Sequence, residues 1–175
     1  MAVCITHFSL NSSEIASWVQ AIGSIAAIWG AFTVSNTQVK RQIAQKVEED
    51  KRKAGAHFAV VKSAAEHTKA LWEIARQGPD IIIFDTIWKR MFSDLFDISV
   101  SSLKQLPAHE MGSYDLVVNY ISIAGAMANI ATRVRTWQSA GSLTQEHGEI
   151  MFRDLEVQFH LVAFSWGRFQ EASVQ

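Results

Sequence analysis

Residues 15–34 read IASWVQAIGSIAAIWGAFTV, twenty residues without one Asp, Glu, Lys or Arg. A helix of that length spans roughly 30 Å, the hydrocarbon thickness of a bilayer. No other feature limits the chain as strongly, because so long a charge-free run belongs in lipid or in a protein core. A secretory signal fits poorly. Residues 1–14 hold no Lys or Arg, the apolar run is long for a signal, and no small-x-small cleavage site follows. Length and flanks favour a membrane span over a buried core helix, although Gln20 and three hydroxyls lower the hydrophobicity.

Charge sets the expected orientation. Only Glu14 precedes the run, whereas Lys40, Arg41, Lys46, Lys51, Arg52 and Lys53 follow it. The positive-inside bias puts the C-terminal side in the cytoplasm and a short N-terminal tail outside. A second charge-free run, Leu116–Thr132, is at the lower edge of spanning length, and its Asn119 and Asn129 lie on different helix faces. It reads as a buried core helix, with a second span as the minority view.

At about 100° per residue the first segment has two faces. Trp18, Ile22, Ile25, Trp29 and Phe32 share a sector about 80° wide and suit lipid. Opposite them run Ser17, Gln20, Ser24, Ala27 and Ala31, continued by Ser35 and Gln38. The period near 3.5 is that of a left-handed helix-bundle seam. Gly23 with Ala27 and Ala31, and Gly30 nearby, would let helices approach closely. A Gln in hydrocarbon needs a partner, so a homo-oligomer is expected, a tetramer among the candidates. The seam is either simply packed or the lining of a pore, with Ala27 and Ala31 as a narrower section gated by dewetting.

The remainder reads as helices. Among 175 residues there are two prolines and nine glycines, 49% of the chain is apolar, and β-branched runs are short. The expected layout is all-α: a tail (1–14), one N-terminal transmembrane helix (15–36), a polar helical stalk (37–57) and a cytoplasmic helical bundle (58–175). The stalk carries a thin stripe of Val39, Ile43 and Val47. Gly78-Pro79 should end its helix. Ile81, Phe84, Trp88, Met91 and Leu95 should form the next apolar face. Ser113 should cap a helix running to about Gln138, and Ser142 with Gln145 should cap a last helix ending near Ala172.

Motifs for catalysis are missing. No phosphate-binding Gly loop, nucleophile elbow or zinc-protease histidine spacing occurs, so no enzyme and no cofactor are expected. Cys4 stands alone, which excludes an internal disulfide and a cysteine-based metal site. His160, in the apolar last helix, reads as a core histidine. A net charge of −1 gives no overall basic field for nucleic acid. A local cluster is the candidate ligand site: Arg133, Arg135 and Trp137, with Arg153, Lys62 and Lys69. Arg beside Trp suits phosphate pairing and base stacking. Ordinary surface cations are the plainer reading.

The charge-free run, the charged stalk and the helical bundle together resemble small membrane effectors of bacterial antiphage defence, the Hailong type most. The resemblance is one of layout over the whole chain, without a motif matched residue by residue. It implies a bacterial inner-membrane channel with the polar seam as its pore. It also implies a nucleotide or oligodeoxyadenylate ligand, made by a partner nucleotidyltransferase, held by the basic bundle residues. Two other classes compete: a single-pass membrane protein whose bundle docks a protein partner, and a soluble helical oligomer with the first helix at its centre.

Overall fold

The computed structural model describes residues 12–140 and 144–174, with side chains from Ala16 onward. Cys4, Gly141 and Ser142 lie outside these residues. All regular structure among them is helical: α1 (Ser12–Ala75), α2 (Ile81–Ile87), a π-helical turn (Trp88–Phe92), α3 (Ser93–Gln105), a short 3-10 turn (Ala108–Glu110), α4 (Tyr114–Ser139) and α5 (Gln145–Ser173). The chain divides into two compact units, Met1–Lys51 and Arg52–Gln175.

The first unit is helix α1 up to Lys51. Residues 31–54 contain neither Gly nor Pro, so nothing interrupts the backbone ladder where the apolar run gives way to charge. Every side chain from Ala16 to Lys51 is exposed, the large apolar ones included: Trp18 by 66%, Trp29 by 75% and Phe32 by 70%. Among the described residues α1 is the one helix long and apolar enough to cross a membrane, with a window of mean hydropathy 1.3 and none of that window buried.

The second unit begins with the rest of α1. Gly78 adopts φ +62°, a left-handed conformation that glycine takes without steric cost, and its N–H donates to Ala75 O at 3.1 Å. Pro79 precedes the next cap instead of opening the helix. That cap is Asp80, whose Oδ1 accepts from Ile82 N at 2.8 Å.

The face expected from α2 onward is corrected by the π-helical turn. An even helical period puts Met91 and Leu95 inward. One wider turn at Trp88–Phe92 adds a residue to the repeat, so the buried series runs Ile81, Phe84, Trp88, Phe92, Phe96. Met91 is 63% exposed and Phe92 only 4%.

Helix α4 starts where Ser113 Oγ accepts from Leu116 N at 3.3 Å. It buries Tyr120, Ile123, Met127, Ile130 and Val134, which makes the Leu116–Thr132 run a core helix. Helix α5 is capped by Thr144, whose hydroxyl accepts from His147 N at 3.4 Å. It contributes Leu155, Phe159, Val162 and Phe169 to the same core. Aromatic pairs tie the elements together: Trp72 with Phe159 at 4.9 Å, Phe84 with Phe152 at 4.9 Å and Phe58 with Trp166 at 5.4 Å. Each such pair adds about 0.5–1.5 kcal/mol beyond the area it buries.

Candidate functional site

The polar row of α1 lies on one face of a helix that its own chain leaves uncovered. Its hydroxyls differ from its amide. Ser24 Oγ donates to Gln20 O at 2.8 Å. Thr33 and Thr37 likewise return their hydroxyls to Trp29 O and Thr33 O, each at 2.8 Å. Back-bonding of this kind satisfies a hydroxyl without water. The Gln20 amide makes no such bond among the described residues. In an apolar medium such an amide needs a partner from outside its own helix, because left unpaired it costs several kcal/mol, about 2–7. Gly23 and Gly30 have nothing within 4 Å of a would-be Cβ, so a neighbouring backbone would meet no obstacle there.

The apolar stripe that follows the charge-free run has an orientation of its own. At about 100° per residue, Val39, Ile43 and Val47 fall on the side of Trp29 and Phe32, away from Gln20 and Ser24. All three are exposed.

The six residues of the candidate ligand site do not form one surface. Trp137 is 7% exposed and packs edge-on against Phe84 at 6.5 Å, so neither face of its indole is open for stacking. Arg133 pairs with Asp154 of α5, and Arg135 with Asp97 of α3. Lys62 and Lys69 pair along α1 with Glu66 at 3.8 Å and Glu73 at 3.9 Å. Among the described residues, Arg153 alone of the five cations has no carboxylate within 4 Å. These exposed pairs are worth little to stability, about 0–1 kcal/mol each, but they reduce the positive potential a phosphate would meet.

The histidines are placed differently from expectation. His160 is exposed, 3.8 Å from Glu156 and edge-on to Trp72 at 5.9 Å, so it is not a core histidine. His67 is half-buried. Its Nδ1 and Ser99 Oγ are 2.9 Å apart, joining α1 to α3, and Ser63 Oγ lies 3.5 Å from its Nε2. Burial pushes its pKa below the ordinary imidazole value, against the opposing pull of Glu66. No three His, Cys, Asp or Glu among the described residues are gathered to hold a metal ion.

Two groups escaped sequence reasoning. Asp85 is buried and accepts from Lys89 Nζ at 2.8 Å and from Gln138 Nε2 at 2.7 Å. Its i,i+4 spacing to Lys89 is a visible signal, whereas Gln138 lies far along the chain and gives none. Arg76, just past the end of α1, was the other.

Comparison with protein-family models, with curated proteins and with solved structures gave no match.

Proposed function

We propose that the chain is a single-pass membrane protein whose first helices assemble into a gated pore, with Ser17, Gln20 and Ser24 toward the axis. The observation that carries this reading is the Gln20 amide, unpaired among the described residues on a charge-free and fully exposed segment. Copies arranged around an axis give that amide partners or water, and turn Trp18, Trp29 and Phe32 to lipid. Ala27 and Ala31 form a narrower apolar section, closed when dewetted. Lys40, Arg41 and Lys46 hold the second unit on the cytoplasmic side. The resemblance in layout to antiphage effectors supports loss of membrane potential as the outcome. The ion-paired Arg133 and Arg135 and the buried Trp137 do not support the oligonucleotide surface first assigned to them. The test is a voltage-sensitive dye in bacteria expressing the full chain, with a chain lacking residues 1–36 as control. Depolarisation by the full chain alone is expected, and an unchanged potential with the protein in the membrane fraction overturns the pore.

One observation favours a second reading. Ile25, Trp29, Phe32, Val39, Ile43 and Val47 make one stripe, with Asn36 between its halves. Copies that meet through this stripe would form a packed membrane anchor without a pore, and the second unit would dock a protein partner. Disulfide trapping separates the two. Cross-linking through Ser24→Cys belongs to the pore, and cross-linking through Ile43→Cys to the packed anchor.

A further inference from the structure

At the turn after α1, the end of that helix and the first half of α5 enclose a shallow cleft of about 370 Å³. Trp72 and Arg76 line one side, and Glu149, Phe152, Arg153 and Glu156 the other. Among the described residues neither arginine has a carboxylate within 4 Å, although Glu149 and Glu156 stand four and three residues from Arg153 on the same helix. Arg133, Arg135 and Arg168 are all paired. Two open guanidinium forks thus share the cleft with two aromatic side chains, Trp72 half-buried and seated on Phe159.

We infer that this cleft is a binding site for a nucleoside monophosphate whose base carries an amino group. A guanidinium binds a phosphate through two parallel N–H bonds, and the unpaired pair offers that geometry. The Trp72 indole supplies an edge or face for the base. Two arginines against two glutamates leave the cleft near neutral, which disfavours a polyphosphate and suits a ligand with one phosphate. The same carboxylates accept hydrogen bonds, so they select a base that donates from an exocyclic amine. The volume is at the small end of ligand pockets, enough for one nucleotide and too little for a chain of them. The site stands independently of the pore, because it uses residues of the second unit only.

The test is calorimetry on the full chain in detergent micelles with AMP as the probe, alongside intrinsic tryptophan fluorescence. Saturable binding that perturbs the fluorescence is expected, with inorganic phosphate and adenosine each binding more weakly than AMP. Arg76→Gln and Arg153→Gln should each weaken AMP about tenfold or more, the loss of a charge-assisted bond. Both positions are exposed, so the variants keep the fold, which circular dichroism verifies. Arg133→Gln with Arg135→Gln should leave the affinity unchanged. No heat with millimolar AMP overturns the inference, as does equal affinity in the two cleft variants or phosphate binding as tightly as AMP.

Discussion

Gly148 of α5 and Ile81 of α2 meet so closely that a Cβ at position 148 would lie 2.3 Å from Ile81 Cδ1 and 3.0 Å from its Cγ1. Both residues are buried. Gly148→Ala gains helix propensity, about 1 kcal/mol, but forces the Ile81 side chain out of place, an overpacking cost of about 1–3 kcal/mol. The net expectation is a loss of about 1 kcal/mol. Ile81→Val removes the clashing Cδ1, so Gly148→Ala should become stabilising in that background. Chemical denaturation of the four proteins of the cycle measures the coupling. Purely additive effects would mean that the two side chains do not meet.

The π-helical turn makes a sharp claim about neighbours in sequence. Phe92→Ala should cost about 3–5 kcal/mol, while Met91→Ala should cost well under 1 kcal/mol. A straight helix through this region reverses the order. Thermal melts of the two variants decide it.

The Asp85 carboxylate is satisfied from two directions, by the Lys89 ammonium along the helix and by a hydrogen bond donated from the Gln138 amide of α4. Asp85→Ala should destabilise by about 1–2 kcal/mol, because the half-buried Gln138 amide loses its acceptor. Lys89 is largely exposed, and Lys89→Ala should cost less than half as much. Equal losses would assign the stabilisation to the ion pair alone.

His67 links stability to pH. Its folded pKa lies below the ordinary value of 6.5, so the folded state binds the proton less readily than the unfolded chain. Its contribution is therefore complete above about pH 6.5 and is lost as pH falls through the folded pKa. Melting temperature should decline as pH is lowered from 7.5 toward 5, and the decline should be shallower in His67→Gln. Identical slopes would remove His67 from the linkage.

Much of the helical content was legible because its signals are local. The charge-free run, the Gly78-Pro79 stop and the Ser113 cap each depend on residues within one or two turns. The core series past Trp88 was not legible, because a π-helical turn changes the period without a marker residue. Ser142 as the last cap falls outside the described residues, and Thr144 holds the observed one. The ligand cluster was only partly legible, for a different reason. Spacing along α4 puts Arg133, Arg135 and Trp137 within one turn, but their side chains point to α5, α3 and the core respectively. Their partners Asp154 and Asp97 come from distant sequence, and only packing reveals them. Arg76 and Arg153 were hidden the same way, since α1 and α5 meet only in the fold.

Whether the polar face of α1 lines water is the central question, and substituted cysteines answer it most directly. With Cys4→Ser as background, Ser24→Cys and Trp29→Cys variants are reconstituted in planar bilayers and exposed to a charged methanethiosulfonate reagent. A pore predicts a current that the reagent blocks in Ser24→Cys and leaves intact in Trp29→Cys. No current from the parent protein, or equal sensitivity at both positions, would contradict it.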